Sequence, residues 1–436
     1  MTQVLIAGAG PTGIMLGIEL LRRGIAIRLV DAASGPFAGS RGKGVQPRTL
    51  EIFDLIGLAD AMVASSRLYP RFKLHAGPFR LPLFSIGTNH AAAVDRPYPN
   101  MLMVPQWRTN EILLTRFTEL GGRVEYDSAL VSLTQSDQGI AAGLATGETV
   151  RADYVVGCDG GRSTVRKLLG LELHGKSLDD KTMIVADLEL DGMLDRDFWH
   201  VWPLNRIGPA LLCPLPGTNL FQLASSNRIA KAGLEAGVLR ATGQHVKRIA
   251  WQSEYRHQAR MVDRYGVGRA FLAGDAAHIH PPSGAQGLNT SVQDAWNLGW
   301  KLAGAIRTGD DSLLDTYQQE RLPIAAAMLN LTGTLHTNAS FKRGELTNHL
   351  SLGYRNSPLN AGEANDGIAP GDRIADRLLP DGSRLFDHLR HTGATQLIRR
   401  NAPHILIRPD AYVAEIGSRE VGSYYGEAVR KVEIVC

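Results

Sequence analysis

Residues 273–289 read AGDAAHIHPPSGAQGLN. Within this stretch Asp275, His278 and His280 form a D-x-x-H-x-H run, a spacing compatible with three metal ligands. The same stretch carries Gly274, Gly284 and Gly287 and the adjacent pair Pro281-Pro282. No ordinary helix or strand accepts that combination. By residue type three chemistries stand open: a metal, a nucleophile, or a ligand that needs bare backbone N–H groups.

A second chemistry-bearing spacing lies near the start. Gly8, Gly10 and Gly13 form G-x-G-x-x-G, with Pro11 and Thr12 inside it. Gly8 permits a tight turn, Gly10 admits a pyrophosphate to the backbone, and Gly13 lets helix and strand pack closely. Free N–H groups and the positive helix end then attract phosphate. Asp31, followed by Ala32, is placed to accept hydrogen bonds from a ribose diol. A carboxylate there disfavours a 2′-phosphate, so the ligand read from these residues is NAD or FAD and not NADP.

The elements required to hold these residues are legible around them. VLIA before Gly8 is a short apolar run, 14–21 carries apolar positions at helical spacing, and IAIRLVD reads as a second buried strand ending at Asp31. ADYVVGCDGGRSTVRKLLG repeats strand, glycine turn and helix, with Asp159 in the turn and Arg162 and Arg166 around the helix start. A further strand, 269–273, delivers Gly274-Asp275. VPQWRTNEILLTRF reads as an amphipathic helix beginning near Gln106.

The length of 436 residues suits two or three domains on the rough prior of about 100–200 residues each. The net charge of +4 excludes the concentrated basic surface of a nucleic-acid binder. Three cysteines without C-x-x-C spacing (Cys158, Cys213, Cys436) argue against a disulfide framework or zinc ribbon and suit a reducing cytoplasm. The apolar N-terminus runs straight into a glycine motif and reads as a strand rather than a signal peptide, and no segment reads as a membrane span. A cytoplasmic location is therefore expected, with neither membrane nor nucleic acid as partner.

Four ordered motifs, GAGPTG, GCDGGRSTVR, FLAGDAAH and HPPSGAQGLNTSVQDAWNLGWKLA, resemble the single-component FAD-dependent aromatic hydroxylases, or class A flavoprotein monooxygenases. The likeness covers Met1 to about Leu335 and is strongest to the polyketide and rifampicin monooxygenase-like branch. It implies an α/β fold: a Rossmann-like FAD-binding domain of glutathione-reductase type, an inserted mostly antiparallel substrate sheet, and a C-terminal thioredoxin-like domain. The implied segments are 1–72, 101–175 and 266–340 for FAD, 73–100 and 176–265 for substrate, and 341–436 for the thioredoxin-like region. The stretch between His391 and His404 is too short for the middle of such a domain, so that region is expected to be incomplete, and 418–436 has no assignment.

The resemblance also answers the opening alternatives. It implies that Gly274-Asp275 meets the ribityl or pyrophosphate part of non-covalent FAD, and that Pro282 lies beside the flavin ring. Gly287, Leu288 and Asn289 would present backbone N–H groups to the flavin edge, where reduced flavin is anionic. Metal ligation is not expected. His278 and His280 are read as packed histidines, with a proton relay as the lesser reading. Arg41, Gln106, Leu130 and Asp159 are further FAD candidates by resemblance, and Asp159 with Arg162 is a candidate for the visiting nicotinamide. Asn110, where relatives often carry Glu, reads as structural.

Trp199, Trp202, Arg206, Phe221 and Arg228 are substrate-lining candidates, with His200 and Trp251 beside them. Sheet core is the competing reading for each aromatic, and Arg206 or Arg228 is a candidate to hold a phenolate. The implied activity uses NADPH or NADH as transient co-substrate and O2, and hydroxylates a phenolic or polyketide-like ring through a flavin C4a-hydroperoxide. No catalytic side chain is named. A reductase or dehydrogenase without oxygen insertion, and a non-catalytic flavin-binding protein, are the competing classes. Monomer and homodimer are both compatible with the sequence.

Overall fold

The computed structural model describes residues 2–434 except 87–88, 205–207, 232, 283, 338–344 and 401. The runs VLIA, YVVG and AFL are buried along their whole length, as strands covered on both faces must be. They form the centre of a six-stranded sheet in the order 266–267, 270–272, 154–157, 4–7, 27–30, 124–125. Pairing is parallel throughout except for the outermost 266–267/270–272 pair. The helices Pro11–Leu21, Gln106–Glu119 and Gly287–Thr308 pack over this sheet. A three-stranded antiparallel sheet, 130–136, 139–144 and 149–152, fills the crossover before strand 154–157.

The alternating sequence between 174 and 261 builds an eight-stranded sheet. Its order is 278–279, 245–261, 174–191, 220–226, 210–214, 198–202, 71–76, 79–82. Only the 71–76/198–202 pair is parallel. Strand 278–279 joins this sheet through Ile279 and His278 opposite Arg260 and Met261, so the segment after Asp275 belongs to both sheets' frame.

The two faces of this sheet differ. Ile184, Ala186, Leu188, Trp202, Leu212, Phe221 and Leu223 pack with Leu234 and Val238 of the helix Leu234–Thr242. The residues between them in each strand turn to the opposite face, towards the six-stranded sheet.

The last part of the chain forms a five-stranded sheet in the order 361–362, 413–417, 404–407, 395–399, 430–434. Strands 395–399 and 404–407 are antiparallel and close in sequence, while 430–434 runs parallel to 395–399. The previously unassigned tail thus supplies a hairpin at 423–428 and an edge strand. Leu385, Phe386, Leu397, Ile405 and Val413 share one continuous core with Leu5, Leu50 and Phe53. This region is therefore fused to the six-stranded-sheet unit rather than tethered to it. Among the described residues no helix is long and apolar enough to cross a membrane.

Candidate functional site

The turn after strand 4–7 has the required backbone. Gly8 takes φ 105°, a region that favours glycine, and a Cβ there would lie 2.4 Å from the Cys158 carbonyl oxygen. A Cβ on Gly13 would fall 1.9 Å from the Gly8 carbonyl oxygen. Over Gly10, by contrast, nothing lies within 4 Å of the Cβ position, and the helix that follows has no acidic residue in its first turn. An anion can approach bare backbone here. Asp31 closes the turn: its Oδ2 accepts from the Ala9 N–H at 2.5 Å and its Oδ1 from the Ala33 N–H at 2.8 Å. Ala32 is exposed beside it.

Gly274 meets this turn from the other side. Its Cβ position lies 2.6 Å from Thr12 Oγ1 and 3.0 Å from Ser291. Two helix N-termini, those of 11–21 and 287–308, therefore meet at Gly274, and the Asp275 side chain beside them is exposed. Neighbouring atoms crowd that carboxyl: burial pushes it up, while His278 and Arg41 pull it down.

His278 and His280 do not converge with Asp275. His278 Nε2 lies 2.6 Å from Asp294 Oδ2, and its Nδ1 lies 3.0 Å from His280 Nε2. Asp294 also accepts from Arg321 Nε at 2.8 Å and from the Gly274 N–H at 3.0 Å. Burial alone would raise the Asp294 carboxyl, but His278 and Arg321 override it and hold it below its usual range. Burial also pushes the His280 imidazole well below its ordinary value. The D-x-x-H-x-H run thus splits into one exposed carboxylate and a buried Asp294-His278-His280 chain behind it. The sequence signal for Asp294 is a lone carboxylate in the helix NTSVQDAWNLGW, between Val292 and Ala295-Trp296.

The flavin-edge candidates lie at the start of helix 287–308. Gly284 and Ala285 both have positive φ, 94° and 55°. Asn289 is buried and fully engaged by its side chain, accepting from the Gln46 N–H at 2.8 Å and donating to the Gly44 and Ala285 carbonyls. Only its backbone and those of Gly287 and Leu288 remain for a ligand. Pro282 is exposed at the rim.

The loop 39–44 runs between this edge and the eight-stranded sheet. Its Gly42 N–H donates to Gln106 Oε1 at 2.9 Å. Arg41 is exposed, 3.1 Å from Ser253 Oγ and stacked near Phe37 and Trp251. A Cβ on Gly39 would lie 2.2 Å from the Trp251 ring, and one on Gly44 would lie 2.5 Å from Ala285 Cβ and 3.0 Å from Tyr69 Oη.

Several sequence candidates sit elsewhere than expected. Trp202 and Phe221 belong to the core on the far face of the eight-stranded sheet, because their strand positions share parity with Leu212 and Leu223. His200 lies on that face as well, bonded to His75. Arg228 is exposed at the edge of that sheet's short 3-10 turn. Arg206 lies outside the described residues. Trp199 and Trp251 do face the cofactor fold. Asp159 is turned to the helix Thr164–Leu168, its Oδ2 accepting from the Thr164 and Val165 N–H groups. Arg162 is exposed, whereas Arg166 is buried on the Ala276 and Gly161 carbonyls. Leu130 is buried in the main core and Asn110 is buried within its helix.

The donor set fits FAD. Bare backbone at two helix ends suits the pyrophosphate and an anionic flavin edge, and Asp275 and Asp31 suit hydroxyl donors. Comparison with known proteins agrees. Residues 1–332 match the family described as FAD binding domain. The chain is 40% identical to a flavin-dependent monooxygenase of Mycobacteroides abscessus, covering 94% of this chain and 96% of that protein. It is 32% identical to a rifampicin monooxygenase of Rhodococcus hoagii, over 99% of each. That second alignment spans 497 positions against the 436 residues here, so the relative carries residues this chain lacks. Among solved structures, the OxyS anhydrotetracycline hydroxylase of Streptomyces rimosus superposes with TM-score 0.75 at 27% identity, covering 98% of this chain and 99% of that one.

Proposed function

Because the chain belongs to the FAD binding domain family, we propose that it is an NAD(P)H-dependent flavoprotein monooxygenase that adds one oxygen atom from O2 to a phenolic, multi-ring substrate. The observation that carries this is the meeting of two helix N-termini at Gly274 and Asp275, with a sheet above whose inner face bears Trp199 and Trp251. FAD, held non-covalently, supplies the oxygen chemistry once reduced by a visiting nicotinamide. The protein's part is to bind, orient and exclude water.

In this reading Gly8, Gly10, Pro11, Thr12 and Gly13 cradle the pyrophosphate. Asp31 and Asp275 accept hydrogen bonds from ribose and ribityl hydroxyls. The N–H groups of 287–289 face the flavin edge without adding a titrating group beside it. Arg41 and Gln106 hold the loop that borders the cofactor. The segments 1–72, 101–175 and 266–340 form the FAD-binding part and 73–100 with 176–265 the substrate part. The C-terminal sheet is a shortened thioredoxin-like domain. The close connection between strands 395–399 and 404–407 supports that assignment, as does the surplus length of the rifampicin monooxygenase alignment.

A large flat substrate is favoured on energetic grounds. Each apolar Å2 removed from water contributes roughly 25 cal/mol, so several fused rings gain several kcal/mol over one ring. Two relatives are named for rifampicin and anhydrotetracycline, both compounds of several rings. The test is substrate-stimulated NAD(P)H oxidation across simple phenols and fused-ring polyketides, followed by product mass. A gain of one oxygen supports the proposal. Turnover independent of O2 identifies a reductase instead, and binding without turnover a flavin-binding protein.

A further inference from the structure

The inner face of the roof carries a polar island. Strand register lines up Trp251, Asp187, Gln222 and Cys213 as direct cross-strand neighbours. Trp199 extends the row, one residue before His200 and opposite Phe72. Beneath it passes the loop 39–44. Lys43 Nζ donates to Gln222 Oε1 and lies 4.4 Å from the Trp199 ring centroid, while Gln222 Nε2 donates to the Ser40 carbonyl.

Asp187 stands apart within the row. It is 1% exposed, and neither carboxylate oxygen makes a well-formed hydrogen bond; the Ser40 hydroxyl and N–H are the donors that approach it. A buried carboxylate so weakly satisfied is costly, and a donor delivered by a ligand offsets that cost. The side chains next along the row are aromatic. The Tyr69 ring centroid lies 6.0 Å from that of Trp199, and Tyr69 Oη and Met101 Sδ close over Gly44, next to Ala285 of the flavin-edge loop.

We propose that Asp187 and Lys43 anchor the substrate: Asp187 takes the proton of a phenolic hydroxyl, and Lys43 holds the phenolate that results. This rests on the monooxygenase reading above and names its substrate class, an acidic aromatic alcohol. The phenol O–H bond breaks and a carboxylic O–H forms on Asp187, so the negative charge passes from carboxylate to ring oxygen with no change of oxidation state. The ring becomes more electron-rich where oxygen attacks.

Burial pushes the Asp187 carboxyl up to about 6, with Ser40 and Lys43 drawing it back. It is therefore ionised at neutral pH and matched to proton transfer there. The charged and titratable groups around it are Lys43 from the loop below, Cys213 further along the row, and Arg41 beyond Trp251.

The test uses the FAD-loaded enzyme and a dihydroxyanthraquinone, whose anion absorbs to the red of its neutral form. Wild type should bind it as the anion at a pH where the free dye is neutral. Asp187→Asn should raise the apparent pKa of the bound dye by at least about one unit. The same variant should lower substrate-stimulated NAD(P)H oxidation at neutral pH by about tenfold or more, the scale of general-base catalysis. It should recover as pH rises past the pKa of the free phenol, with FAD content unchanged. Lys43→Met should raise the bound-dye pKa independently. Unchanged dye ionisation in both variants, or a defect that persists equally at every pH, overturns the anchor. A wild type that ionises the dye but never yields an oxygenated product from any phenol overturns the monooxygenase reading and leaves the anchor supported.

Discussion

Glu320 is the residue through which the C-terminal sheet is keyed to the cofactor fold, and Glu320→Gln should expose that dependence. Its buried carboxylate accepts from Lys301 Nζ at 2.7 Å, Asn297 Nδ2 at 2.7 Å, Ser357 Oγ at 2.5 Å, and Arg408 Nη1 and Nη2 at 2.7 and 2.9 Å. Arg408 is doubly bonded to Asp410, whose carbonyl accepts from Trp296 Nε1 and Arg48 Nη2. Burial alone would raise the Glu320 carboxyl, but Arg408 and Lys301 override it and hold it well below its usual range. The amide keeps the shape and removes the charge, leaving Lys301 and part of Arg408 uncompensated in the interior. Breaking a buried pair from one side costs about 3–5 kcal/mol. With roughly 2.1 cal/mol/K per residue, unfolding of 436 residues carries about 0.9 kcal/mol/K, so Tm should fall by about 3–5 °C. Thermal scans read by FAD release, with limited proteolysis between 345 and 434, provide the assay. Lys301→Met added to Glu320→Gln should recover part of the loss, because it removes the cation left unpaired while the amide still accepts from the remaining donors. A shift under 1 °C with unchanged protease resistance would refute the keying argument. Because the folded carboxyl is depressed, this contribution is intact above the unfolded value and fades as pH falls below it.

Three further outcomes are expected. Asp275→Ala should weaken FAD retention by about 1–3 kcal/mol through lost charge-assisted hydrogen bonds, measured by titrating apoprotein with FAD. Arg80 can only donate to His75 Nδ1, so His75 Nε2–H donates to His200 Nδ1 and His200 Nε2–H to the Asp195 carbonyl, with both rings neutral. Burial, helped by His200, Arg80 and Lys73, lowers His75 to about 4. Stability should therefore be full above pH 6.5 and fall as pH drops from there towards 4, by at most about 3 kcal/mol, and His75→Gln should flatten that slope in Tm-versus-pH scans. Finally, chelators should leave turnover intact and elemental analysis should find no stoichiometric zinc, iron or copper, since His278 and His280 are committed to the Asp294 chain; a required metal would contradict this.

The cofactor side was readable because its demands are local. Gly8 and Gly274 adopt backbone that favours glycine, Gly13 leaves no room for a side chain, and each lies between recognisable strand and helix patterns. The substrate side depends on facing, which period-two alternation does not supply. In FWHVW both faces are covered, so Trp199 and Trp202 look equivalent in sequence although one meets Lys43 and the other the helix Leu234–Thr242. Asp187 is the first of three acids in MIVADLELD and the only one of them buried, a distinction that needed its neighbours on other strands. The strand 430–434 was invisible because its pairing with 395–399 is set by the packing of the C-terminal sheet and not by any local pattern.

The loop 39–44 bears on how this enzyme could be re-engineered. Within six residues it touches the flavin-edge loop through Gly44 and Asn289, the helix 106–119 through Gly42 and Gln106, and the roof through Ser40, Lys43 and Gln222. Gly39 and Gly44 have no room for even a methyl group. Variation there would disturb cofactor and substrate together, so a mutational library aimed at new substrates is best spent on Tyr69, Met101 and Trp199. Trp199 lies on the roof rather than on the loop, whereas Tyr69 and Met101 pack on Gly44, so changes at Trp199 disturb the flavin edge least.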